Sequence, residues 1–241
     1  MAKQPHLLVE EGDVHERVLL PGNPDRVDRI AAQCHDVTAI SDNREYSLKN
    51  AKYNDHEITI CSTGIGGPST AIAIEELAKV GVTTLLRVGT TGALQPEIEI
   101  GDMIIATGAA KFEGTTQRYE DIAFPALPSH SVVRALRAKA KSQDETYYVG
   151  PLVTDDAFYN ETEEFVTEWE DANMLAVEME AATVFTIARR RNMTAGAICT
   201  VDGNLVKGTQ KGADSDEELP PKARNNVKRA ISIALETVTT L

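Results

Sequence analysis

Ile58-Thr59-Ile60-Cys61-Ser62-Thr63-Gly64-Ile65-Gly66-Gly67-Pro68-Ser69 is the stretch that decides the fold. Ile58 to Cys61 is an apolar, β-branched run of strand length, and Gly64 to Pro68 is a glycine turn. From Ser69 to Val80 the residues Ile72, Leu77 and Val80, with Ala73 and Ala78, approximate a helical stripe. Strand, glycine loop and helix in that order form the repeating half-unit of a parallel α/β sheet. Upstream, Val18-Leu19-Leu20 runs into the turn Pro21-Gly22. Downstream, Thr84 to Val88 reads as a buried strand, Gly89-Thr90-Thr91-Gly92 as a further glycine loop, and Met103-Ile104-Ile105 as the next strand. Ser131 to Lys141 is predicted helical and Tyr147 to Val153 strand-like. Glu180 to Arg191 is predicted helical, with cations at its C-terminal end where the helix dipole favours them. Ala195 to Val201 is a last apolar strand, and a closing helix starts near Pro220-Pro221. The expected class is α/β, one domain over residues 1–241, with a mixed, mostly parallel central sheet flanked by helices. Ligands in such sheets bind at the C-terminal strand ends, where each glycine loop is expected.

Composition narrows the function. With 37 acidic against 24 basic residues the net charge is −13, which repels nucleic acid and anionic membranes, so neither is an expected partner. A halophilic host and an ordinary acidic cytosolic enzyme both fit that charge. The start of the chain, Met1 to His6, lacks the apolar stretch of a secretory signal, and no window approaches the ~20 apolar residues of a membrane span. The expectation is a cytoplasmic protein. Cys34, Cys61 and Cys199 lie in or beside apolar segments without metal-ligand spacing, so they are expected reduced and buried, with no metal and no cofactor.

Pro21-Gly22-Asn23-Pro24-Asp25-Arg26, the loop after Cys61, and Leu86-Arg87-Val88-Gly89-Thr90-Thr91-Gly92 each offer backbone N–H groups in a glycine-containing turn, a concavity suited to an anion. Arg26 and Arg87 add planar forks that match phosphate oxygens in pairs. Arg87 lies within an apolar strand. A buried guanidinium needs a partner, so Arg87 should meet either a protein carboxylate or a bound anion.

Together these segments resemble the nucleoside phosphorylase superfamily that includes uridine phosphorylase and the hexameric purine nucleoside phosphorylases. The resemblance runs from about His6 to the C-terminal helix and is tightest over residues 58–96, which look like uridine phosphorylase. It implies an enzyme, a pentosyltransferase that cleaves a nucleoside with inorganic phosphate to give free base and ribose 1-phosphate. It also implies Gly22, Arg26, Arg87 and Thr90 as phosphate ligands, and Arg44 as an arginine lent to a neighbouring subunit's phosphate site. His6 would cross the same interface to the ribose, implying a homo-oligomer built from dimers, a hexamer, with shared sites. Val177-Glu178-Met179-Glu180-Ala181 resembles the ribose turn, with Met179 beneath the sugar and Glu180 accepting from its hydroxyls. The alternative for these glutamates is plain helix N-terminal charge.

The base end departs from the uridine pattern. After Phe158-Tyr159, Thr162 stands where the resemblance implies Gln and Glu164 where it implies Arg. Uracil offers two carbonyl acceptors and one N–H, a poor match to carboxylates. Guanine offers N1–H and an amino group that one carboxylate accepts together. Glu161, Glu163 or Glu164 would serve that role, with Phe158 stacked on the base, or these glutamates belong to the acidic surface. Ile198-Cys199-Thr200-Val201 resembles the hexameric purine phosphorylases, which implies an acid for the leaving base in Asp202-Gly203-Asn204: either Asp202 would protonate the base or Asn204 would hydrogen-bond it. The expected catalytic set is Arg87, Glu180 and Asp202, and the substrate leans to guanosine or inosine, with uridine as the alternative. A phosphate-independent nucleosidase would not need Arg26, Arg44 and Arg87 together. A non-catalytic nucleoside-binding protein would be expected to lose Arg87 or Glu180.

Overall fold

The computed structural model describes residues 3–143, 146–209 and 219–241. The chain opens with β1 (Arg17–Leu20), α1 (Pro24–Ala31), the hairpin β2 (His35–Asn43) and β3 (Tyr46–Tyr53), then β4 (His56–Cys61) and α2 (Gly67–Lys79). It continues with β5 (Thr84–Ala93), β6 (Met103–Phe112), α3 (His130–Lys141), β7 (Tyr147–Asp155) and α4 (Glu163–Asp171). The last elements are β8 (Ala176–Glu178), α5 (Ala181–Arg190), β9 (Thr194–Asn204) and α6 (Pro221–Val238).

These strands form one nine-stranded sheet ordered β2-β3-β4-β1-β5-β8-β7-β6-β9, in which β5 also pairs with β9. Strands β5, β8, β7, β6 and β9 therefore close on themselves, while β1 to β4 extend the sheet outward. Strand β1 runs parallel to β4 and β5, and β5 runs parallel to β9. The hairpin strands and the pairs β5–β8 and β6–β9 are antiparallel, so the sheet is mixed.

Helices cover both faces because each carries an apolar stripe that must leave water. Ala73, Ile74 and Leu77 of α2 pack with Val184, Phe185 and Ile187 of α5 on one side. Val27 and Ile30 of α1, Val132 and Leu136 of α3, and Val227 and Ile231 of α6 fill the other. Among the described residues no helix is long and apolar enough to cross a membrane, and no cluster of three or more His, Cys, Asp or Glu could hold a metal ion. Cys61 and Cys199 are buried, Cys34 is partly so, and all are unbridged.

The structure corrects the expected element boundaries at the site. Gly89 to Gly92 is not a turn but the continuation of β5, with a register shift against β9 between Thr91 and Gly92. Asp202-Gly203-Asn204 likewise lies inside β9. Small residues mimic turn chemistry in the sequence, but here they sit in paired strands. The hairpin β2–β3, α4 and β8 have no counterpart among the expected elements.

Candidate active site

The parallel register brings the anion loops together. Leu20 pairs with Arg87, so Gly22, two residues past the end of β1, lies beside the Arg87 side chain. A Cβ built on Gly22 would stand 4.0 Å from Nη1 of Arg87. Helix α1 starts two residues later, its first turn capped by Asn23, whose side chain accepts from the Asp25 amide, with Pro24 in the first turn. Arg26 follows on that helix, 7% exposed. The loop after β4 reaches the same place with Gly64 at φ 70° and Gly66 at φ 84°, left-handed conformations that suit glycine. The Gly66 amide donates to Oε1 of Glu180 at 2.6 Å.

These strand ends surround a cavity of about 810 Å³. Gly22, Arg26, Arg87 and Thr90, the residues expected at phosphate, all line it; so do Met179 and Glu180, expected at ribose, and Phe158 and Asp202, expected at the base. The two arginines share one hollow.

Arg87 has met carboxylates, one of the two outcomes its burial required. Its Nε donates to Oε2 of Glu178 at 2.9 Å, and its Nη2 pairs with Oε2 of Glu180 at 2.5 Å. The two glutamates around Met179 have separate duties. Glu178 accepts from the backbone N–H groups of Glu180 and Ala181, so it holds the first turn of α5 as well as Arg87. Glu180 reaches across to Arg87 and to the α2 loop. Burial pushes the Glu180 carboxyl above its ordinary value, Arg87 draws it back, and Glu178 adds to the rise. For Arg87, burial acts to lower the guanidinium pKa, but Glu180 and Glu178 outweigh it and hold the cation in place. Cys199, packed beside Gly89, is pushed up to about 12, chiefly by burial, and stays a thiol.

Sequence reading missed the part Gly89 plays. A Cβ there would meet Nη2 and Cζ of Arg87 at 2.8 and 2.9 Å, so the absence of a side chain makes room for the guanidinium. Glu178, which pairs with Arg87, and Thr154, whose hydroxyl donates to Glu178, were also missed, although Glu178 sits within the ribose turn. Glu45, Ser69 and Tyr159 line the cavity without having been expected there.

Several residues expected at the base are engaged elsewhere. Thr162 accepts from the Phe165 amide and caps α4, and Glu163 and Glu164 are exposed in that helix's acidic first turn. A Thr followed by two Glu satisfies a helix start, and that local demand claims these side chains. Asn204 is 1% exposed. Its amide donates to the carbonyls of Gln95 and Ile98 while its Oδ1 accepts from the Lys207 amide, commitments that turn it away from a base. His6 and Arg44 are absent from their own chain's cavity. His6 Nδ1 lies 2.6 Å from Glu76, and Arg44 is exposed at the tip of the β2–β3 hairpin. They stand at one edge, because Asn43 donates to the His6 carbonyl at 2.8 Å.

Residues 16–239 match the Phosphorylase superfamily, and the chain belongs to it. It is 62% identical over 241 residues, 100% of both chains, to a guanosine phosphorylase of Halorubrum lacusprofundi. It is 41% identical over 238 residues, 93% of this chain and 86% of the other, to a uridine phosphorylase of Thermococcus kodakarensis. Among solved structures, a uridine phosphorylase of Vibrio fischeri superposes with a TM-score of 0.93 at 35% identity, covering 100% of this chain and 98% of that one.

Proposed function

We propose that this chain is a nucleoside phosphorylase acting on a 6-oxopurine nucleoside, guanosine above all, and yielding ribose 1-phosphate and the free base. The observation that carries this reading is the sharing of one cavity by Arg26, Arg87, Glu180 and Asp202. Phosphate sits against Arg26, Arg87, Gly22 and Thr90. Glu180 accepts from the ribose hydroxyls above Met179. A phosphate oxygen bonds to C1′ as the C1′–N bond breaks, and the electron pair of that broken bond leaves with the base, which takes up a proton. Positive charge gathers on the sugar in that passage, and the phosphate dianion held by the arginines stabilises it. No metal or organic cofactor enters these steps, phosphate being a co-substrate.

Asp202 supports the purine, since a carboxylate in the cavity wall can accept from a base donor or, protonated, supply the leaving base with its proton. Full-length identity to a guanosine phosphorylase supports the same choice. Uridine is the second reading, favoured by the close superposition on uridine phosphorylases and by the lining of the cavity, which includes neither Glu163 nor Glu164. The edge position of His6 and Arg44 supports sites completed by a neighbouring copy, in a dimer-based hexamer. A cytoplasmic location and one catalytic domain over residues 1–241 complete the proposal.

Turnover of guanosine, inosine, adenosine, thymidine and uridine, each with and without phosphate, tests the reading. Phosphate-dependent release of guanine at the highest kcat/KM is expected. Equal rates without phosphate overturn the phosphorylase, and uridine well ahead of guanosine overturns the purine.

A further inference from the structure

Arg87 can serve phosphate only if its fork is turned the right way, and its own strand does not turn it. Two of its donor corners are held by Glu178 and Glu180, and Nη1 is left on the Gly22 side. Glu178 is therefore the hinge of the arrangement, and something must hold Glu178. Its Oε2 accepts from Arg87 Nε and from the amides of Glu180 and Ala181. On its Oε1, the hydroxyl of Thr154 donates at 2.6 Å and the Ala181 amide at 3.0 Å. Thr154 is fully buried near the end of β7, and its oxygen also accepts from the Ala182 amide at 2.9 Å. A side chain from a third strand thus fastens the carboxylate that aims the arginine.

We propose that Thr154 is a positioning residue for phosphate: by donating to Glu178 it holds the carboxylate that keeps one corner of Arg87 turned to the anion. The inference rests on the phosphorolysis reading of the same site. A buried carboxylate oxygen that loses a donor seeks another, and the nearest cation is Arg87. The fork then tilts, which damages phosphate binding before it damages nucleoside binding. A purely structural Thr154, anchoring α5 through Ala182, would instead weaken the fold or both substrates alike.

Thr154→Val keeps the side chain's shape and removes the hydroxyl. It is expected to raise the KM for phosphate about tenfold, the loss of one hydrogen bond to a charged group, while the nucleoside KM stays within about twofold. Calorimetric titration with inorganic phosphate alone should show the same weakening. Thr154→Ser, which restores the donor, should recover phosphate use. Should Thr154→Val not fold, Thr154→Ala against Thr154→Ser makes the same comparison. Equal changes in both KM values, unchanged phosphate affinity, or failure of Ser to rescue overturns the inference. A wild-type protein that cleaves without phosphate overturns the phosphorolysis reading instead, so the two failures are distinct.

Discussion

The floor of the cavity and its rim are built on opposite terms. In the floor, Arg87, Glu178 and Glu180 are at most 5% exposed and satisfy one another through ion pairs and backbone amides. At the rim, Tyr159 is 99% exposed beside Phe158, and Thr162 to Glu164 serve the start of α4 rather than the cavity. A group of the floor cannot move without leaving a buried charge uncompensated. At the rim, Tyr159 is so exposed that moving it strands no buried charge. The charged floor is thus assembled within one chain, whereas the rim around Phe158 and Tyr159 is a more open surface.

The sharpest break of the floor is Arg87→Met. It leaves the Glu178 and Glu180 carboxylates buried without their cation, a change that typically costs about 3–5 kcal/mol. Urea unfolding should show that loss, with phosphorolysis abolished. Tyr159→Ala at the rim should stay within about 0.5 kcal/mol. If the two variants unfold alike, the floor is not interlocked and the contrast fails.

Gly89→Ala probes the same floor without removing a charge. The new methyl would collide with the Arg87 guanidinium and stand 3.2 Å from the Cys199 sulfur. Displacing a substrate-positioning group by about 1 Å costs on the order of a hundredfold in rate, so kcat/KM for phosphate should fall about that far. Activity near wild type would mean that Arg87 does not need its present place.

The floor also sets a pH dependence. On the proposed ribose role, Glu180 must be ionised to accept from the sugar hydroxyls, and burial raises its pKa above the ordinary 4.5. Activity is therefore present above that raised value and lost as pH falls through it. The acid limb of kcat/KM for the nucleoside should lie above pH 4.5, and should weaken without vanishing for a 2′,3′-dideoxynucleoside, which has no hydroxyl to offer but still needs the Arg87 that Glu180 holds. A limb at or below the ordinary carboxylate value would remove Glu180 from ribose binding.

The same contrast explains what could be read in the sequence. The strand, glycine loop and helix from Ile58 to Val80 were legible because apolar periodicity and glycine-rich turns are local signals. Arg87 was legible because a cation in an apolar strand demands a partner, although the choice between carboxylate and anion is made by a residue 91 positions away. Gly89 was misread because a missing side chain looks the same whether it makes a turn or clears space for an arginine. The β2 strand has a mostly exposed burial pattern, so it left no alternation to detect. Thr162 and Glu164 were assigned by their position in a motif, and a nearer demand, the start of α4, took them.

That last point yields the smallest and most discriminating effect. If Thr162 only caps α4, Thr162→Ala should cost about 1 kcal/mol of stability, the usual worth of such a cap, with the ratio of guanosine to uridine turnover unchanged. Glu164→Gln should alter neither by much, because an exposed first-turn glutamate adds only about a few tenths of a kcal/mol through the helix dipole. Asp202→Asn, in contrast, alters a cavity-lining carboxylate and should lower guanosine turnover more than uridine turnover. A shift of base preference in the Thr162 variant, with Asp202→Asn silent, would move recognition from the end of β9 to α4. The rim would then require a closed form in which that helix start turns toward the base.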